Sequence, residues 1–420
     1  MSFKKHDRQY DLVVFGATGY TGRMTAEHIA LQFPTDLRWA IAGRSAEKLQ
    51  SIAKECQALN PDRPSPEIET CNLNDPDLAA LAKKTFALIS TVGPYAKYGE
   101  HAFKACVETG THYFDCTGEA VWTMDMIQKY ESTAKLTGAC MFPQCGVESA
   151  PSDLLTYSMA SLIRSELSAS TSDVVVDIHE LHAAPSGGTL ASALGLFETY
   201  HWKQIVKSHE PYALSPVANT KLPPAPSVFS KLTGLFSVPN LGLLTKGLTS
   251  GTDAAIVMRT WGLTKQEPSL IGFFYGTNFT YREFQKTRNF LTGMLFHYSL
   301  AIGGLFLVFC QPFRDLLRKF VRKPGDGPSK EQTEHDYVEF RGVATADLEA
   351  TAPKQALCKA WYSGSMYYLT ATFLAQAACT LLEEDVPLKG GIYTPACLGE
   401  EFVDRLNEQG FKIETKIIDA

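Results

Sequence analysis

The stretch from Tyr10 to Gly22, YDLVVFGATGYTG, decides the fold. Its first six residues form a short apolar run rich in β-branched side chains, as expected of a strand buried on both faces of a parallel sheet. Gly16-Ala17-Thr18-Gly19-Tyr20-Thr21-Gly22 follows with GxxGxxG spacing, and residues 24–31 have helical composition. Gly16 permits a tight turn, Gly19 lets backbone approach a pyrophosphate, and Gly22 lets the helix pack closely on the sheet. The helix start then offers N–H donors and positive potential to an anion. The glycine spacing is weak evidence alone. With a strand before it and a helix after it, it reads as a dinucleotide fingerprint.

Working outward, apolar runs alternate with amphipathic ones. Strands are expected over residues 38–42, 67–71, 86–92, 111–116 and 139–143, and helices over 46–58, 76–85, 100–109 and 121–137. Strands alternating with helices imply crossover units. The fold class is therefore α/β, with a Rossmann-type doubly wound parallel sheet over residues 1–150. Ligands of such sheets bind beyond the carboxyl ends of the strands.

Those strand ends carry the remaining motifs. The second strand ends in Gly43-Arg44-Ser45, where an NAD enzyme would place an acid for the ribose 2′-hydroxyl. A guanidinium suits a 2′-phosphate, so Arg44 and Ser45 favour NADP(H) over NAD(H). The fourth strand ends in Ser90-Thr91-Val92-Gly93-Pro94-Tyr95 and the fifth in Cys116-Thr117-Gly118-Glu119. Small residues there let backbone lie close to ribose and nicotinamide. Tyr95 is a candidate proton donor and Glu119 a weaker one; the plainer reading of Tyr95 is a packing aromatic.

Composition sets the outer limits. The chain has 420 residues, enough for two domains, with 45% hydrophobic and 20% charged residues, which excludes wholesale disorder. A net charge of −6 gives no basic field, so no nucleic-acid partner is expected. Ten cysteines without a CxxC pair read as reduced thiols in an intracellular, cytosol-facing protein, and the polar first nine residues do not read as a signal peptide. His179 and His182 alternate along a strand without a third ligand, so no metal is expected.

VVFGATGYTGR, AGRS, STVGPYAKYGE, YFDCTGE and GVESAPSD together resemble the saccharopine dehydrogenase-like oxidoreductases, nearest the trans-acting enoyl reductase branch. Weaker echoes occur at Ser186-Gly187-Gly188-Thr189 and at residues 390–396. The resemblance implies a second α+β domain with a mixed sheet over residues 151–345. It also implies a C-terminal part, 346–420, that returns to pack on the first domain. Where this family often has Asp, in GFDS, this chain has Glu148, which would shift a substrate pocket if that acid touches substrate. Basic groups for a dicarboxylate are not matched, which argues against saccharopine as substrate.

Three functional readings follow. The first is an NADPH-dependent reductase of an activated C=C bond in a lipid or polyketide-like small molecule. The second is the same chemistry on C=O or C=N. The third is a non-catalytic dinucleotide-binding scaffold at a membrane or lipid-droplet surface. A homodimer and a trans-acting partner synthase are the protein partners considered.

The second half holds two further expectations. Residues 208–248, rich in Pro, Ser and Gly, read as a long irregular loop, following a helix from Gly187 to about Lys207. Residues 291–310 carry no formal charge and are long enough for a bilayer span. Basic residues flank them on both sides (Arg282, Lys286, Arg288; Arg314, Arg318, Lys319, Arg322, Lys323), which gives no orienting bias. A segment lying on a membrane surface reconciles this with a returning C-terminal part; the alternative is a buried core or oligomer helix.

Overall fold

The computed structural model describes residues 3–183, 187–319, 327–349 and 353–419. In chain order, the first part gives β1 (Tyr10–Phe15), α1 (Tyr20–Gln32), β2 (Trp39–Gly43), α2 (Ala46–Leu59), β3 (Glu67–Thr70) and α3 (Asp75–Lys84). It continues with β4 (Thr85–Ser90), α4 (Tyr95–Thr109), β5 (His112–Asp115), α5 (Ala120–Thr137), β6 (Cys140–Phe142) and α6 (Ala150–Leu167). Then come β7 (Thr171–His182), α7 (Gly187–Thr199), α8 (Trp202–Ser208), α9 (Val228–Thr233), β8 (Leu235–Val238), β9 (Gly242–Thr245), α10 (Ser250–Gln266) and β10 (Thr280–Lys286). The last part holds α11 (Phe290–Phe309), α12 (Gln311–Arg318), α13 (Lys330–Thr333), β11 (Tyr337–Ala346), β12 (Lys354–Ser363), α14 (Met366–Glu383), β13 (Gly391–Ile392), α15 (Glu400–Glu408) and β14 (Lys412–Asp419).

The first sheet has seven strands in the order β13-β6-β5-β4-β1-β2-β3, all parallel. Every residue of β1 is buried, because both faces are covered. Leu12 and Val14 join one core with Ile29, while Val13 and Phe15 join another with Leu78 and Phe103. Continuous hydrophobicity was therefore the right signature for this strand. The chain runs outward from β1 through β2 to β3, then returns to β4 on the other side of β1. The switch point where ligands bind lies between β1 and β4.

The second sheet is mixed, in the order β14-β12-β11-β7-β10-β9-β8. Only the β7·β10 pair is parallel among its described ladders. The C-terminal part is shared between the two sheets. β12 and β14 complete the second, whereas β13 adds an edge strand to the first and α14 packs along α1. His28 of α1 anchors that packing, with Gln376 Nε2 at 3.0 Å from its Nε2 and Thr372 Oγ1 at 3.3 Å from its Nδ1. Burial lowers its pKa to about 4, so the ring is neutral and can share hydrogen bonds with both partners.

Three element expectations are corrected. The helix expected from residue 100 begins at Tyr95, because its cap comes from another element, as described below. The expected helix to Lys207 is broken after Thr199, where His201 caps a separate α8. The expected irregular loop over 208–248 contains α9 and the β8–β9 hairpin. Asn240 takes φ 66° in that hairpin turn and Leu241 N donates to Val238 O at 3.2 Å, so Pro239-Asn240 makes a turn between strands.

Candidate active site

The glycine loop is built as its spacing implied. Gly16 has φ +89°, and a Cβ there would stand 2.7 Å from Val92 Cγ2 and 2.9 Å from Thr91 Oγ1. Thr91 fixes the turn by donating to Phe15 O and Gly16 O, both at 3.2 Å. A Cβ at Gly22 would collide with Gly16 O, so α1 packs that close only because residue 22 is glycine. Gly19 is different: its Cβ would meet only Gly16 O, at 3.2 Å. Gly19 is also the N-cap of α1, with no side chain capping it and no acid in the first turn. The first N–H groups of α1 are left for an anion, since among the described residues no side chain caps them. A dinucleotide pyrophosphate fits this cradle.

Ala17 is buried and Thr18 lies beside Gly43, with its side chain 3.8 Å from a Cβ placed there. Thr21 accepts from Thr25 Oγ1 through its carbonyl at 2.9 Å. Tyr20 turns away from the cradle and donates to Pro328 O at 2.7 Å, with its ring edge-on to Tyr367. Arg44, past the end of β2, is exposed, and among the described residues no ion pair or hydrogen bond engages its guanidinium. Ser45 caps α2 by accepting from Lys48 N at 3.4 Å. A free guanidinium here fits a ribose 2′-phosphate.

On the other side of the switch point lie Thr91, Val92, Gly93 and Pro94, then Cys116, Thr117 and Gly118. Asp115 organises the second group. Its Oδ1 accepts from Thr117 N at 2.9 Å and Gln144 N at 3.0 Å. Its full burial raises its pKa to about 7 despite those donors.

The two proton-donor candidates both have structural partners. Tyr95 is buried, its hydroxyl donating to Ser90 O at 2.9 Å and its ring packed on Trp122. Burial and the nearby Cys116 and Asp115 push its hydroxyl far above the ordinary range. Glu119 caps α4, accepting from Tyr95 N at 2.9 Å and Ala96 N at 2.7 Å. Neither group is turned to the open side of the loop that holds it.

Sequence reasoning left the role of Glu148 conditional. It leaves β6 toward α6, and a Cβ at Gly118 would fall inside contact distance of Glu148 Oε2. Gly118 is therefore the residue that lets this carboxylate reach the strand-end loop. Burial alone raises its pKa. His179 and His182 pair with Asp177 and Glu180 at 3.0 Å and 2.9 Å. In the Ser186-Gly187-Gly188-Thr189 motif, Ser186 lies outside the described residues.

Residues 12–141 match the family model described as the saccharopine dehydrogenase NADP binding domain. The chain is 29% identical to a trans-acting enoyl reductase of Mycobacterium tuberculosis, covering 97% of this chain and 98% of that protein. A trans-acting enoyl reductase of Mycobacterium leprae is 28% identical over the same shares. Among solved structures, the apo saccharopine dehydrogenase (L-Glu forming) of Saccharomyces cerevisiae aligns with a TM-score of 0.51 at 13% identity, covering 97% of this chain and 100% of that one. That likeness concerns the fold: a Rossmann-type sheet followed by a mixed-sheet domain.

Proposed function

Because the chain carries a saccharopine dehydrogenase NADP-binding domain and resembles trans-acting enoyl reductases along nearly its whole length, we propose that it is an NADPH-dependent enoyl reductase of a lipid or polyketide-like substrate. The chain is an NADP(H)-dependent oxidoreductase. The observation that carries the enoyl reading is the extent of the similarity, 97% of the chain. It includes the second sheet and the C-terminal part, where a substrate would be selected, and not the dinucleotide site alone. An enoyl reductase acting in trans works on the product of a separate synthase, so a synthase is the partner this reading implies.

NADPH, when bound, supplies the hydride. The chain's own residues bind and orient it: α1 offers its first N–H groups to the pyrophosphate, Arg44 takes the 2′-phosphate, and the Thr91–Pro94 and Cys116–Gly118 loops border the nicotinamide end. The test is incubation of the purified protein with NADPH and a trans-2-enoyl thioester. Loss of NADPH absorbance with a product two hydrogens heavier supports the reading. Turnover confined to ketones or imines replaces it with a carbonyl or imine reductase. Binding of NADPH without turnover of any of these leaves the scaffold reading.

A specific observation favours work at a lipid surface. α11 carries twenty residues without a charge, and of these only Gly293 is buried. Leu291, Leu295, Tyr298, Ile302, Leu305 and Phe309 recur at helical spacing and are 44–76% exposed. α9 extends the patch through Phe229 against Phe290, with Val228 and Leu232 exposed beside it. The core-helix alternative for residues 291–310 does not describe this face. Because β11, β12, α14 and β13 pack with the earlier elements, the fitting mode is a helix lying in the interface, with lipid as its occupant. Arg282 and Lys286, named above as basic flanks, pair with Asp173 and Leu241 O. Arg288 and Lys319 are the described flanks left for headgroups; Arg322 and Lys323 lie outside the described residues.

A further inference from the structure

Tyr95 and Glu119 have structural partners, yet reduction of a double bond needs a proton as well as a hydride. Glu148 sits at the right place in the fold, at the carboxyl edge of the first sheet where β5 and β6 end, with its carboxylate against Gly118. Among the described residues no hydrogen bond or ion pair is made by it. Thr252 donates to Gly118 O at 3.5 Å, which brings the first turn of α10 against the same loop.

The residue after Thr252 is Asp253, 2% exposed, whose carboxyl faces that of Glu283 on β10, 4% exposed. Glu283 Oε2 accepts from Tyr281 OH at 2.6 Å. Among the described residues no donor reaches Asp253 Oδ1 or Glu283 Oε1. Two dehydrated carboxylates facing each other without a cation repel strongly, and one shared proton removes the repulsion and supplies an O–H···O bond. Further carboxylates act on this set, Glu148 on Asp253 and Asp177 on Glu283, and Asp177 is in turn paired with His179.

We propose that Glu148 is the catalytic proton donor of the reduction and that the Asp253–Glu283 pair holds the proton that recharges it. The proposal rests on the enoyl reductase reading. One hydride from the reduced cofactor forms the C–H bond at the β-carbon. The π electron pair, displaced to the α-carbon, takes the proton from Glu148 and leaves it as carboxylate. The double bond gains two electrons and NADPH loses them. As a proton from solvent enters the Asp253–Glu283 pair, the proton they shared passes to Glu148, so the pair is not left as two carboxylates. Gly118 is the positioning residue, since any side chain there displaces the Glu148 carboxylate.

The experiment has two arms on the full-length protein. The first needs no turnover. Infrared difference spectra at pH 7 between wild type and Asp253→Asn or Glu283→Gln should reveal one protonated-carboxyl band, and Glu148→Gln should shift that band while leaving it present. Absence of such a band, or no shift on Glu148→Gln, overturns the relay. The second arm follows NADPH and a trans-2-octenoyl thioester. Glu148→Gln should lower kcat on the order of a hundredfold or more with the NADPH dissociation constant unchanged, and Glu148→Asp should restore part of the rate. A Glu148→Gln protein with wild-type kcat overturns the donor assignment. If wild type does not reduce the thioester, the enoyl reading fails on its own, and the infrared arm alone decides for or against the proton pair.

Discussion

Both carboxylate oxygens of Glu119 are held by the first two backbone N–H groups of α4, Oε1 by Tyr95 N at 2.9 Å and Oε2 by Ala96 N at 2.7 Å. The cap of a helix at one strand end thus comes from the loop at the next strand end. The loops that follow β4 and β5, Thr91–Pro94 and Cys116–Gly118, are tied together by this one side chain. Glu119 also carries a raised pKa, chiefly from burial, which the two N–H donors oppose.

Glu119→Ala should therefore destabilise the fold by about 1–3 kcal/mol, because two buried donors lose their acceptor. Glu119→Gln, which keeps one acceptor, should cost less. Denaturant unfolding measures both. A Glu119→Ala protein as stable as wild type would show that the cap contributes nothing.

Arg44→Asp should weaken NADPH binding by roughly tenfold to a hundredfold, the worth of about 1.5–3 kcal/mol for a charge-assisted bond, and leave NADH binding nearly unchanged. The guanidinium is exposed and, among the described residues, unengaged, so little structural loss should accompany the change. Fluorescence titration of both cofactors checks it; equal weakening of the two would refute the role given to Arg44.

The glycines of the loop should separate into two kinds. Gly19→Val should abolish dinucleotide binding in a protein that still folds, since its Cβ meets only one carbonyl, at 3.2 Å, and otherwise points into the cradle. Gly22→Val should damage the fold itself, because its Cβ collides with Gly16 O and comes 2.6 Å from Thr91 Oγ1. Circular dichroism with NADPH titration distinguishes them, and retained affinity in Gly19→Val would remove the fingerprint.

Much of this was legible in the sequence because it is local. β1, the GxxGxxG turn, α1 and Arg44 are consecutive, and each obeys its own backbone rule. What stayed hidden depends on long-range contact. Pro94 before Tyr95 is a local start signal, but Glu119, the acceptor that fixes the start there, is 24 residues away. Nothing near Glu148 announces a carboxylate with a proton pair behind it, because Asp253 and Glu283 are brought there by α10 and β10 from more than a hundred residues away. The β8–β9 hairpin was masked by Pro and Gly counts, although Pro239-Asn240 between apolar residues is itself a turn signal.

The stability contributed by Asp115 and Asp153 should fall as pH rises from about 4 to about 7, against the opposite trend of His28 and His112, whose burial lowers each to about 4. Asp115 and Asp153 are fully buried, and burial raises each to about 7. An unfolded Asp releases its proton near 3.9. Between those values the native state holds protons the unfolded chain has lost, so the stabilisation is complete below about 4 and lost above about 7. Asp153 accepts from Thr260 Oγ1 at 2.5 Å and from Ala396 N at 2.8 Å, joining α6, α10 and the C-terminal part. Asp153→Asn should reduce the slope by up to about 1.4 kcal/mol per pH unit. Urea unfolding at several pH values measures it, and an unchanged slope would mean that Asp153 titrates normally.

The exposed face of α11 yields the last prediction. Wild type should float with liposomes, and Leu295→Glu combined with Ile302→Glu should release it. These side chains are 70% and 52% exposed, so the charges meet water in the free protein and stability should hold within about 0.5 kcal/mol. On a lipid surface the same charges would have to enter the acyl boundary, where each is strongly disfavoured. Protease should reach Lys5 and Lys416 from the same side of a sealed vesicle, because α14 packs along α1 and β13 pairs with β6 within one body. Cleavage from opposite sides would make α11 a span. A wild type that ignores liposomes, and that ultracentrifugation finds as a stable dimer dissociated by the double substitution, would make this face a protein interface instead.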